Sequence, residues 1–177
     1  MIFKVQRILW TAICLIISMV GLSQNNRAYT KNPERVHHPK YSLFYDNHTM
    51  PACPDVGVTF DVEEFTDRVK ACGVDYLTFH ARCNLGMSYY DTKIGIKHPS
   101  LKYDLFGQLA DVCKKKGIAL TAYLNGGISS AEGYEHRDWL NIYPDGRVYR
   151  EPRLTPWVRT MCPNTAYRDH LISMVRE

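Results

Sequence analysis

No apolar run in this chain reaches the roughly 20 residues that a membrane-crossing helix needs; the one at the start, Ile8 to Leu22, falls short. No two cysteines stand in CxxC spacing. The six, at 14, 53, 72, 83, 113 and 162, give neither a zinc ribbon nor a disulfide framework. Charge of one sign is scarce as well: the formal net charge is +4, and residues 1–24 carry two of those charges as Lys4 and Arg7 with no acid, which leaves +2. That is too little for a nucleic-acid surface. A glycine-rich phosphate loop is missing, because Asn125-Gly126-Gly127 is followed next by Gly133, too late for a dinucleotide fingerprint. There is no Gly-x-Ser-x-Gly elbow. These absences exclude nucleotide and acyl-ester chemistry and leave a sugar-like ligand.

What is present is the composition of a globular protein, 45% hydrophobic and 23% charged. Two basic residues, a short apolar run and the small residues of Gly21-Leu22-Ser23 make residues 1–24 a secretory signal peptide, so the protein is expected to be secreted or periplasmic. Residues 25–40 are polar and broken by proline, and read as a flexible leader; the His37-His38 pair in it is read as unstructured rather than as a metal site. From 41 onward strand and helix patterns alternate. Tyr41–Tyr45 is a strand; Asp61 caps a helix, with Glu64 as its capping-box partner and Val62, Phe65, Val69 and Cys72 as its apolar stripe. Gly73 stops it, and Val74–Phe79 is a second strand. Ser100 is expected to cap a helix with stripe Leu101, Leu105, Leu109, Val112 and Cys113, ended by Lys114-Lys115-Lys116 and Gly117. Ile118–Leu124 is the third strand. A long loop with a turn at Pro144-Asp145-Gly146 then leads to a helix capped by Asn164, with Tyr167, Leu171, Met174 and Val175 on one face. Cys72 and Cys113 are read as small core residues.

This alternation predicts an α/β fold, about three βα units from the amino-terminal part of a (β/α)8 barrel. In such folds ligands sit at the carboxyl ends of the strands. The second strand delivers His80, Arg82 and Asn84 there, the third delivers Asn125, and the first ends in Asp46-Asn47-His48. His80, Arg82, Asn84, Asn125, Trp139 and Asp46 are therefore the candidate substrate-binding residues: imidazole, amide and carboxylate bond sugar hydroxyls, and a tryptophan face packs on the apolar side of the ring. Two of these have a plainer reading, Asp46 as a solvated strand terminus and His80 as a satisfied interior histidine. Glycoside hydrolysis needs two carboxylates flanking the bond. Asp46, Asp91 and Glu132 do not make a convincing pair, and the catalytic residues are expected downstream of Glu177, where the last helix pattern runs on without a stop.

The blocks His80-Ala81-Arg82-Cys83-Asn84 and Ala122-Tyr123-Leu124-Asn125, with the later Met161-Cys162-Pro163-Asn164-Thr165-Ala166-Tyr167, resemble the opening of the hypothetical glycosyl hydrolase 6 family. Its members are barrel proteins akin to α-L-fucosidases and to β-galactosidases with a trimerisation domain. The resemblance implies a glycoside hydrolase with a carbohydrate substrate, no cofactor or metal, no nucleic-acid partner, no membrane attachment after signal cleavage, and homo-oligomerisation left open. In similar fucosidases a histidine pair at the second strand end binds the sugar; here His80 matches one member and Ala81 stands in place of the other. A non-catalytic carbohydrate-binding barrel is the alternative. A sugar-nucleotide or aldolase-type barrel is disfavoured by the signal peptide and the lack of a strand-end lysine.

Overall fold

The computed structural model describes residues 38–149 and 158–177. The expected signal peptide, all but the last three residues of the expected leader, and Trp157 lie outside the described residues. The elements in chain order are β1 (Ser42–Tyr45), α1 (Val62–Ala71), β2 (Tyr76–Arg82), β3 (Met87–Ser88), β4 (Ile96–Lys97), α2 (Leu105–Lys116), β5 (Ala119–Leu124), α3 (Ser130–Glu135), a 3₁₀ turn (Arg137–Trp139) and α4 (Tyr167–Arg176).

Two parallel crossovers form the frame. β1 pairs parallel with β2, Phe44 opposite Thr78 and Tyr45 opposite Phe79, and β2 pairs parallel with β5, Thr78 opposite Thr121 and His80 opposite Tyr123. Because side chains alternate along a strand, Leu77 and Phe79 turn to one face and Tyr76, Thr78 and His80 to the other. The first face is the core: Leu77 and Phe79 are buried with Val62 and Val69 of α1 and Leu105, Leu109, Val112 and Cys113 of α2. Tyr45 stacks on Phe79, with ring centroids 5.3 Å apart and planes 3° from parallel. On the second face Phe44 is exposed.

Local chemistry explains the helix ends. Asp61 accepts from the Glu64 backbone N–H at 2.9 Å, half of the expected capping box; the Glu64 carboxylate pairs with Arg68 instead of reaching back. Gly117 ends α2 in the left-handed conformation, φ 69°. The lysine run does more than suit the helix dipole: Lys116 Nζ lies 2.8 Å from the Glu63 carboxylate and 2.7 Å from that of Asp67, clasping α2 to α1. The turn at Pro144-Asp145-Gly146 is present, with Gly146 at φ 82° and an antiparallel bridge between Ile142 and Val148.

Five local expectations are corrected. Asp104, not Ser100, caps α2: its carboxylate accepts the Gly107 N–H at 2.7 Å, while the Ser100 hydroxyl bonds the His98 ring and Leu101 is buried outside the helix. Cys72 is exposed after the end of α1; the buried place on that face goes to Thr66, whose hydroxyl bonds back to the Val62 carbonyl at 2.8 Å. No side-chain bond from Asn164 caps α4; the helix starts at Tyr167, whose N–H is accepted by Thr165 Oγ1. Val175 points to solvent. The stretch after β5 is not one loop either, since α3 and the 3₁₀ turn stand in it.

Candidate functional site

β2 runs three residues further than its apolar pattern, so His80, Ala81 and Arg82 lie within the strand rather than beyond it. A register shift between His80 and Arg82 marks a bulge against β5, the kind of irregularity that re-aims side chains at a sheet edge. His80 and Arg82 are each fully buried, and each anchors a separate cluster.

The first cluster lies where β1 and β2 end. Parallel register sets Tyr45 opposite Phe79, so the next residues bring Asp46 beside His80. His80 Nδ1 lies 2.7 Å from the Asn47 carbonyl oxygen. A carbonyl only accepts, so Nδ1 carries the proton and neutral His80 presents the lone pair of Nε2. That atom is buried and lies 3.2 Å from Asp46 Oδ1 without a hydrogen bond. His48 Nε2 reaches the same Asp46 oxygen at 2.8 Å. Burial holds the His80 ring below its ordinary histidine pKa, with the neighbouring His48 adding to the effect and the Asn47 carbonyl and Asp46 opposing it. The ring is stacked on Tyr123 with centroids 4.4 Å apart and tilted against Phe44 at 5.4 Å. Exposure grades outward across the group: His80 contributes no accessible side-chain surface, His48 is 38% and Asp46 56% exposed. The cluster thus runs from a buried imidazole to two side chains open to solvent.

The second cluster is built on Arg82. Its guanidinium donates to the Glu132 carboxylate and to the Asn125 carbonyl. Glu132 also accepts the Ser129 hydroxyl, and its other oxygen lies 3.0 Å from His170 Nε2. Trp139 tilts against His170 with centroids 5.1 Å apart and is stacked by His136 at 3.8 Å. Tyr167 completes the cluster; burial pushes its phenol pKa up, against the pull of the Arg82 charge.

The six sequence candidates therefore separate. His80 and Asp46 come together, joined by His48, which the sequence reading left out although it closes the same Asp46-Asn47-His48 triplet. Arg82 is committed to a buried ion pair. The Asn125 side chain accepts the Gly127 and Ile128 N–H groups at 3.2 and 3.0 Å and donates to the Tyr123 hydroxyl, so it shapes its own turn and braces the ring under His80. Asn84 is half-buried, with a buried Oδ1 that has no hydrogen-bond partner among the described residues. Trp139 belongs to the second cluster. Glu132 and His170 were missed as partners; Ser129-x-x-Glu132 is a capping-box pattern that could have marked α3, and the Ser129 side chain does accept from the Glu132 N–H.

The family model for hypothetical glycosyl hydrolase 6 matches residues 61–177. Among solved structures, α-L-fucosidase isoenzyme 2 from Paenibacillus thiaminolyticus matches with TM-score 0.70 and 26% identity, over 77% of this chain and 21% of that one. The Thermotoga maritima α-fucosidase matches at 24% identity and TM-score 0.48, over 66% of this chain and 25% of its own. No curated protein matches. The chain thus spans about a fifth of the length of the Paenibacillus fucosidase, whose fold it shares over most of its own. With the family model matched over residues 61–177, well over half of its length, this chain belongs to the hypothetical glycosyl hydrolase 6 family.

Proposed function

We propose that this chain is part of a secreted or periplasmic glycoside hydrolase of fucosidase- or galactosidase-like type, and that β1, β2 and β5 are the first three strands of its (β/α)8 barrel. The face carrying Thr78, Thr121 and the exposed Phe44 is then the inner wall. The sugar sits at the carboxyl ends of the strands. The observation that carries this reading is the locked His80 ring: with Nδ1 held by the Asn47 carbonyl, buried Nε2 is an acceptor turned toward the solvent-open side chains of Asp46 and His48. Polyhydroxylated ligands are recognised by such fixed acceptors beside aromatic faces, here Phe44 and Tyr123. The Arg82–Glu132–His170 group holds Asn125 and α3 in place behind that wall.

A non-catalytic carbohydrate-binding barrel is the second reading, and one observation favours it. Glu132, the most buried carboxylate among the described residues, is tied to Arg82, Ser129 and His170 and is not poised as an acid or base toward a glycosidic oxygen. The two readings separate on a panel of aryl glycosides offered to the full-length protein. Turnover of an aryl α-L-fucoside or β-galactoside is the expected result. Saturable binding of the matching sugar with no turnover of any glycoside selects the binding barrel, and neither binding nor turnover overturns both.

A further inference from the structure

The strand-end cluster brings three atoms that could ligate a cation to one place. His80 Nε2, His48 Nε2 and Asp46 Oδ1 lie within 4.8 Å of one another, with separations from the carboxylate oxygen of 3.2 and 2.8 Å. His48 can supply its own proton to Asp46, yet His80 Nε2 stays buried beside a carboxylate with a lone pair and no donor. Such an atom costs free energy unless something positive or protic meets it.

Resting on the reading of this pocket as the sugar site, we propose that Asp46, His48 and His80 hold a divalent cation of the zinc class, and that sugar hydroxyls or water take its open positions. Three features support it. Two imidazoles and one carboxylate are the donor set of open zinc and related sites, whereas calcium and magnesium ask for oxygen alone. Bonds of about 2.0–2.1 Å to a tetrahedral centre put ligand atoms about 3.4 Å apart; the Asp46 oxygen stands 3.2 Å from His80 Nε2 and 2.8 Å from His48 Nε2, and all three atoms lie within 4.8 Å of one another, so small rotations of the partly exposed Asp46 and His48 complete the set. The third is the support behind the ligand: a metal-binding histidine as a rule donates its other ring N–H to a carbonyl or carboxylate, which fixes the tautomer. His80 does so to the Asn47 carbonyl at 2.7 Å, and stacking on Tyr123 with the tilted contact of Phe44 fixes the ring plane. On binding, neutral His48 takes the tautomer with its proton on Nδ1, so that the Nε2 lone pair turns to the cation and the ring keeps its one proton.

The test is metal binding to the full-length protein after chelator treatment, with zinc titrated calorimetrically against a competing chelator and cobalt followed by its visible absorption. About one ion per chain is expected, with the intense visible bands of a four-coordinate centre and affinity falling more than about tenfold in Asp46→Asn and in His80→Ala. Asp46→Asn alters an exposed residue and keeps the fold, which circular dichroism checks, so a misfolded His80→Ala would not leave the question open. The double variant His37→Ala/His38→Ala should bind as tightly as the parent. In the metal titration the proposal is overturned by no stoichiometric binding, or by binding that survives Asp46→Asn and is lost with His37 and His38. Sugar binding measured on the same metal-free protein separates the two readings. If sugar binds equally with and without metal, the cation proposal falls and the sugar site stands; if metal binds as described and no sugar does, the reverse holds.

Discussion

Asp75 ties the entry of the first strand to the second: its carboxylate accepts the backbone N–H groups of Lys40 at 2.9 Å and Tyr41 at 3.0 Å. These bonds, that from Lys40 first, hold the carboxyl below its ordinary value. A carboxyl depressed in the folded state contributes stability above its unfolded pKa and loses it as pH falls through the folded one. The contribution should therefore be intact above about pH 4 and fade below it. Asp75→Asn should flatten that acid limb in a plot of Tm against pH and leave the neutral region parallel to the parent; an unchanged acid limb would show that the anchor does not form. The buried Arg82–Glu132 pair behaves differently, because removing one partner strands the other charge away from water. Glu132→Ala should cost about 3–5 kcal/mol in a denaturant titration, and Arg82→Met with Glu132→Leu should recover much of it. The exposed Arg68–Glu64 pair should cost under about 1 kcal/mol on the same scale. Equal costs at the two sites would contradict the structure. Neither His80 nor Arg82 could be placed in this way from local sequence, since their partners stand 33 and 50 residues away. A polar residue after an apolar run looks like the end of a strand, and only long-range pairing keeps it inside.

At the scale of elements, two glycines with positive φ should respond differently to the same change. Gly73, φ 79°, has open space where a Cβ would go, so Gly73→Ala carries the backbone strain of about 1–2 kcal/mol alone. Gly86, φ 89°, sits with its Cβ position against Ser129 Oγ and the Ala131 Cβ, so Gly86→Ala must also push α3 away. Because α3 carries Glu132, the larger loss should come with partial loss of the Arg82 ion pair; double-mutant cycles between Gly86→Ala and Glu132→Ala should show coupling, and additive losses would refute the link. Strands β1, β2 and β5 and helices α1 and α2 were legible because their apolar residues recur at periods of 2 and 3.6 and the helix stops are glycines in the left-handed region, Gly73 and Gly117, whereas the two-residue strands β3 and β4 are too short to show a period. The cap of α2 was misplaced because Ser100 and Asp104 both precede the stripe, and the choice between them was made by the His98 ring that occupies the Ser100 hydroxyl. α3 was overlooked because its six residues include a glycine and no apolar stripe long enough to show a period.

At the scale of the molecule, the α/β order and the strand-end location of the cluster could be read from the alternation of patterns alone. Which side chains would share the pocket could not, because the register of β1 on β2, which sets Asp46 beside His80, is a tertiary fact. Among the described residues β1 and β5 each pair with β2 and with no other strand, and Phe44 stands exposed on the second face. Unpaired edges and bare aromatic faces invite association. The 177-residue chain by itself should therefore bind an apolar dye and elute larger than a monomer in light-scattering chromatography; a dye-silent monomer with a cooperative melt would oppose that expectation. The central claim is that the acceptors at the ends of β1 and β2 grip the sugar, and its most direct measurement is kcat/KM of the full-length Asp46→Asn variant on the best aryl glycoside, paired with its Tm. Losing a charged hydrogen-bond partner of the ligand costs on the order of 1–3 kcal/mol, so kcat/KM should fall by about one to two decades while Tm stays with the parent. An unchanged kcat/KM, or a fall matched by loss of folded protein, would contradict the account.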